Sequence, residues 1–403
     1  MPFRFRERAA TLGRMVARPS HARLVLRDAL GLEERLAADE AHLEAAVAWL
    51  CRAQDRAGGG GLAAGYTFKR GWLPPYPETT GYTIPTFLER AARTGRGDLV
   101  DRARRMGDWE LEIQLPEGGV RGGMGVGEEP IVFNTGQVIL GWLALHRHTG
   151  HQAYLEAAAR AGDWLVSVQD GDGRWTRHTY RGVSHAYHTR VAWALLALED
   201  RAPAGRYRRA AEALIERVVA GAHPNGWVPE MGFHPDELPF THTIAYTYRG
   251  LLESVPYLAG ELGRRAEGTV ARAAEHLLRR YELGKADPEA PPRPLPAVLG
   301  PDWRGRSTYS CLTGSAQVAL VWMRLYQGHG DGRFLNGALK LLDQVKARQV
   351  LTTGNAEVRG AVPGSYPIWG WYLRLAFPNW AAKFLADALM LQESLLAELE
   401  KAP

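Results

Sequence analysis

One pattern recurs six times along the chain, and it restricts the fold more than any other feature. In its fullest form it has an amphipathic helix ending in a Trp-bearing stretch and a Gln, then a Gly-rich loop. A second helix follows that opens on Thr or Asn beside a small residue. The clearest endings of the first helix are Trp49-Leu50 with Gln54, Trp109 with Gln114, and Trp164-Leu165 with Gln169. The second helices open at Thr80-Gly81-Tyr82, Asn134-Thr135-Gly136-Gln137, His188-Thr189-Arg190, His242-Thr243, Thr313-Gly314-Ser315 and Asn379-Trp380. From Thr80 to Thr135, Thr189 and Thr243 the steps are 55, 54 and 54 residues, and those on to Thr313 and Asn379 are 70 and 66. The longer steps hold extra loop, including Pro288 to Pro296 and Thr352 to Tyr372. A period near 50 residues with two helices is too long for tetratricopeptide or HEAT units. Thr, Asn and Ser at the openings are expected as N-caps, their side-chain oxygens accepting from orphan backbone N–H groups.

The two helix types differ in polarity. Val138 to Leu145 and Val191 to Leu198 are unbroken apolar runs. A helix apolar on all faces is buried on all faces. The other type carries charge on one side, as in Asp101-Arg102-Ala103-Arg104-Arg105. Six buried helices inside six amphipathic ones predict an all-α (α/α)6 toroid. An open solenoid needs polar terminal caps, and the last helix, from Ala381, starts as apolar as the middle ones. The expected layout is a basic helical extension over 1–39 and one toroid domain over 40–403. The even run of repeats overrides the usual ~150 residues per domain.

Composition excludes several classes. Of 403 residues, 46% are hydrophobic and 23% charged, which is ordinary for a globular protein. The net charge of +5 owes much to N-terminal arginines such as Arg4, Arg6, Arg14 and Arg18. No basic stripe interleaved with aromatics marks a nucleic-acid surface. Cys51 and Cys311 lie in no CxxC or Cys/His cluster, which argues against structural zinc and for two reduced, buried thiols. Asp170-Gly171-Asp172-Gly173 lacks the distal bidentate Glu of a calcium loop and reads as a turn. No metal and no cofactor is expected, and no P-loop, GxGxxG, HExxH or GxSxG arrangement occurs. With no apolar h-region and no run of about 18 apolar residues, the reading is a cytoplasmic protein without a membrane span. The sequence sets no oligomeric state.

In such a ring the loops entering the inner helices gather at one mouth, with positive helix-dipole ends around it. The candidate site residues follow from that placement. Glu78 and Glu230 lie in Pro-bearing, aromatic loops and are the candidate catalytic carboxylates. A glycosidase needs two, roughly 5–10 Å apart. Six of the 13 histidines lie between His178 and His242. His188 and His242 hold equivalent places before the Thr of adjacent inner helices and are candidate acid–base groups, with Tyr246 beside them. Candidate substrate contacts are Tyr82, His185, Arg190, Trp227, Arg306, Trp369, Trp380 and Lys383. The aromatic members would stack on sugar faces, and the arginines would hold a uronic carboxylate.

Val132 to Gln137, Tyr187 to Trp193, Thr241 to Tyr246, Cys311 to Gly314 and Phe377 to Phe384 resemble bacterial proteins encoded with exopolysaccharide-biosynthesis genes. The likeness runs from about Glu40 onward. More distantly the layout is similar to six-hairpin glycosidases, (α/α) polysaccharide lyases and N-acylglucosamine 2-epimerases. It implies a carbohydrate partner and an enzyme that cleaves a glycosidic bond, by hydrolysis through Glu78 and Glu230 or by elimination through a His or Tyr base with Arg190 or Arg306. The alternatives are a sugar epimerase using His188 and His242, a non-catalytic polysaccharide-binding protein, and, last, a terpenoid cyclase-like toroid, which lacks its DxDD-type acid cluster here.

Overall fold

The computed structural model of the chain describes residues 18–33, 35–283 and 294–401. Arg4, Arg6 and Arg14 lie outside these residues, as does most of the Pro288 to Pro296 stretch. Helix α1 (Pro19–Ala29) precedes six outer and six inner helices. The outer ones are α2 (Asp39–Arg56), α4 (Gly97–Ile113), α6 (Gln152–Ser167), α8 (Arg206–Ala220), α10 (Gly260–Leu283) and α12 (Gly332–Lys346). The inner ones are α3 (Pro77–Thr94), α5 (Val132–Thr149), α7 (Thr189–Arg201), α9 (Thr241–Ser254), α11 (Leu312–His329) and α13 (Asn379–Lys401). Each inner helix packs on the next, and α13 packs back on α3. The first outer helix, α2, packs on the last inner one, α13. The ring is closed, and the fold is the all-α (α/α)6 toroid that the repeat spacing implies. Among the described residues no helix is long and apolar enough to cross a membrane.

The recurrent Gln is the joint between units. Gln114 Nε2 donates to the carbonyls of Gly118 (3.0 Å) in its own loop and Ala157 (2.9 Å) in the next outer helix. Gln169 does the same to Gly173 and Ala210, and Gln54 to Gly59 and Arg102. Gln349, after α12, donates to Gly360 and to His42 in α2, so the same bond joins the last unit to the first.

The opening threonines act differently from the expected caps. No side-chain cap bond forms at the N-termini of α3, α5, α7 or α9. Thr80 and Thr135 sit one turn inside their helices, where Oγ1 accepts from the loop N–H groups of Leu62 (2.9 Å) and Val120 (3.0 Å). They anchor the incoming Gly-rich loop to the inner helix rather than finish the helix. The small residues beside them allow inner helices to touch. A Cβ on Gly81 would stand 2.7 Å from the Val138 Cα, and one on Gly314 2.7 Å from the His242 backbone nitrogen.

Short antiparallel pairings cover the loops entering the inner helices. Strands β1 (Gly65–Thr67), β2 (Gly71–Trp72) and β5 (Ala376–Pro378) run in the order β2-β1-β5, and β3 (Ser310–Cys311) pairs with β4 (Ser365–Tyr366). Helix α1 lies against this layer: His21 stacks on Phe68 at 4.1 Å, and Asp28 accepts from the Ile368 N–H at 2.8 Å. Cys51 and Cys311 are both buried and free of disulfide. The Asp170 loop is a turn closed by Thr176, whose N–H and hydroxyl both donate to the Asp170 carboxylate.

Candidate active site

Residues from the first turns of several inner helices converge beneath the loop layer. Pro77 fixes φ at the first helical position of α3, so Glu78 enters the first turn pointing into the ring. Its Oε2 accepts from the Tyr76 hydroxyl at 2.5 Å, and its Oε1 lies 3.4 Å from the Tyr246 hydroxyl, itself 3.4 Å from that of Tyr82. Burial pushes the Glu78 carboxyl up to about 7, against the two hydroxyl donors and the Arg190 charge, which pull it down. A carboxyl poised there exchanges its proton near neutral pH, as a general acid or base requires.

His242 lies over Tyr246 with ring centroids 4.2 Å apart, and its Nδ1 is 2.9 Å from the Gln317 amide nitrogen. Burial, aided by Arg190, lowers it to about 3, so the imidazole is neutral. His188 is buried among Trp175, His185, Tyr187 and Phe133, and neither ring nitrogen has a partner. Phe133 stands 6.4 Å from the His188 ring and 5.2 Å from that of Tyr246. The two histidines therefore border the same aromatic layer, one on Phe133 and one on Tyr246. Arg190 donates Nε–H to Gln137 at 2.8 Å and lies 4.9 Å over the Tyr246 ring. Lys383 pairs with Asp387 at 2.5 Å and lies 5.0 Å over the Tyr82 ring, and burial lowers its ammonium to about 8.

The other sequence candidates stand elsewhere. Glu230 is exposed, 4.0 Å from Arg174 and 3.8 Å from Arg217, and is not brought beside Glu78. Its backbone takes a left-handed φ of 60° and its carbonyl accepts from the Ala186 N–H, as that of His178, also left-handed, accepts from Val132. The position serves the loop joint and leaves the side chain outside. His185 is held between the carbonyls of Gly232 and Tyr180. Trp227 packs edge-to-face on Trp303 at 5.2 Å, in the core behind the site. Arg306 pairs with Asp302 at the surface, and Trp369 is 36% exposed on the loop layer. Trp380 donates to the Tyr372 hydroxyl at 2.8 Å and meets Tyr76 edge-on, which keeps it at the site. Sequence reasoning missed Phe133, Gln137, Gln317 and Tyr372. A Gln shortly after the opening Thr of α5 and of α11 was the available signal.

At the N-terminal mouth little solvent exposure remains, 9% on Glu78, 6% on His242 and 5% on Tyr372, with Tyr76 and Trp380 half-buried above them. These side chains lie beneath the loop layer rather than on the open rim the sequence suggested. From the other end a cavity of about 520 Å³ runs along the ring axis between the C-terminal halves of the inner helices. Tyr82, Arg190, Lys383 and Phe384 are its floor. Among the described residues no three His, Cys, Asp or Glu side chains are grouped to hold a metal ion.

The fold has counterparts among solved structures. An unsaturated glucuronyl hydrolase specific for heparin superposes with a TM-score of 0.66, covering 90% of this chain and 97% of its own at 16% identity. The two chains share the (α/α)6 ring. A sugar epimerase from a ruminal bacterium gives 0.67 at 11% identity over 89% and 98% of the two chains. A D-mannose isomerase gives 0.65 at 13% identity over 90% and 100%. No family model matches the sequence, and no curated protein matches it. At these identities the likeness establishes the fold.

Proposed function

We propose that the protein is a carbohydrate-active enzyme that cleaves a glycosidic bond at the N-terminal mouth, with Glu78 moving the proton. One observation carries this: a buried carboxyl brought to about 7 and held by a tyrosine hydroxyl in the first turn of an inner helix, beneath the loop layer. Protonated, Glu78 donates to the leaving oxygen. The carboxylate left behind then takes the proton of the incoming water, while His242, its Nδ1 accepting from the Gln317 amide and its Nε2 bearing the hydrogen, stays neutral over the Tyr246 ring. The aromatic walls Tyr76, Trp380 and Phe133 fit the apolar faces of a pyranose, and the fold is shared with enzymes whose names specify sugars. Two unpaired thiols fit a reducing compartment, the cytoplasm.

A second reading has support of its own. Neutral His242 beside a titrating Glu78 is also a pair of proton carriers of the kind a sugar epimerase uses. Products separate the two, since cleavage creates a new chain end and epimerisation does not.

The test is turnover of a panel of neutral and uronic oligosaccharides by wild type, Glu78→Gln and Glu230→Gln. Loss of one acid–base group costs about 10²–10⁴-fold. Glu78→Gln is expected to show that loss with its fold intact, and Glu230→Gln to stay near wild type. Full activity in Glu78→Gln would refute the assignment.

A further inference from the structure

The axial cavity at the far mouth has no part in the proposed reaction, yet it holds an unusual cation. Its lip carries arginines in the last turns of inner helices, among them Arg93, Arg147 and Arg201. Those have an ordinary explanation, since cations offset the negative ends of helix dipoles. Several cavity cations are also neutralised: Arg93 by Glu89, Arg201 by Asp200, Arg249 and Arg324 by Glu253, and, in the first turns of α13, Lys383 by Asp387. Arg190 fits neither account. It lies in the first turn of α7, where the dipole end is positive, and is only 3% exposed. Among the described residues no carboxylate lies within bridging distance of it, and only its Nε–H is bonded, to Gln137. The other two nitrogens of its guanidinium are therefore free at the floor of the cavity. Beside it Trp193, half-buried, lies 5.4 Å from the guanidinium carbon, and Phe384 lies 5.9 Å from it. Leu140 and Leu143 line the wall.

A buried, unpaired guanidinium is costly unless an anion meets it. A planar fork with free donors matches a carboxylate or a phosphate. We propose that the axial cavity binds an anionic monosaccharide, its carboxylate or phosphate on Arg190 and its ring against Trp193. About 520 Å³ falls within the usual range for small-ligand pockets. The site opens at the opposite end of the ring from Glu78, so it is separate from the proposed cleavage site and would hold an effector or product. The indole doubles as a reporter, because a sugar over Trp193 changes its fluorescence.

The experiment titrates D-glucuronate, D-glucose 6-phosphate, inorganic phosphate and D-glucose into the full chain, by calorimetry and tryptophan fluorescence. At least one anionic sugar is expected to bind saturably, and whichever of the two binds tighter identifies the anion. Glucose is expected not to bind, and inorganic phosphate to bind at least tenfold more weakly. Arg190→Gln is expected to weaken the anionic sugar tenfold or more. Because that residue is buried, Arg147→Glu at the exposed lip is the second variant. It is expected to weaken binding several-fold, more at low than at high salt. Glu78→Gln, at the other end, is expected to bind as wild type does, so loss of cleavage and loss of this site are read separately. Binding of glucose as tight as that of the anions, no saturable binding of either anionic sugar, or unchanged affinity in folded Arg190→Gln and in Arg147→Glu would each overturn the proposal.

Discussion

At the residue scale, two buried carboxyls decide both chemistry and pH response. Glu78 is raised to about 7, above its unfolded value near 4.5. The native state therefore holds this proton over a window where the unfolded chain has released it, and the group costs stability as pH rises from about 4.5 to 7, at about 1.4 kcal/mol per pH unit. Glu78→Gln is thus expected to melt above wild type at pH 8 and close to it at pH 4.5, by calorimetry. With Glu78 as the acid, turnover is expected to fall as pH rises through about 7. Glu110, in outer helix α4, is a fully buried carboxyl with both oxygens unpartnered, and burial alone raises it far above the carboxylate range. Glu110→Leu is expected to stabilise the protein, with a gain that grows with pH above about 4.5, and a destabilised variant at pH 8 would contradict that account. Of these groups only Glu78 was legible, from its Pro-bearing aromatic loop. The same signal at Glu230 misled, because a left-handed backbone joint turns that side chain outward. Glu110 hides in a helix whose charge pattern reads as solvated. His188 and His242 were found by their equivalent positions, but burial beneath the loops gives each a different neighbourhood.

At the element scale, the units hold together through a few repeated contacts. Gln169 satisfies two carbonyls in two elements. Its replacement by Ala leaves both without that donor and is expected to cost about 1–3 kcal/mol, measured by chemical denaturation. Gly81→Ala forces a Cβ to 2.7 Å from the Val138 Cα and is expected to cost about 1–3 kcal/mol by overpacking. Wild-type stability in either variant would show that the contact is slack. The positions of these Gln, Gly and Thr residues were plain in the sequence, and the six openings fell within three residues of the inner-helix starts. Their roles were less plain. A Thr one turn inside a helix and a Thr at its cap look alike in sequence, and only the loop path shows that Oγ1 faces Leu62 or Val120.

At the scale of the whole molecule, closure places the site. Glu78 comes from α3, His242 and Tyr246 from α9, and Trp380 from α13, and they meet because α13 packs on both α11 and α3. Closure was legible because the last inner helix is as apolar as the middle ones. Gln349, whose bond to His42 seals the joint, was not, since its outer helix lacks the Trp that marks the first three. Which end of the ring is open was also hidden, because loop length does not reveal that Tyr372 and its neighbours narrow the N-terminal mouth. The central claim is that sugar meets Glu78 at that mouth. Its most direct test is a crystal structure of Glu78→Gln soaked with the oligosaccharide that wild type turns over best. The account expects a glycosidic oxygen within about 2.6–3.2 Å of the residue 78 side chain, between Tyr76 and Trp380. An oligosaccharide bound elsewhere, with its scissile bond in the axial cavity or beside Glu230, would contradict it.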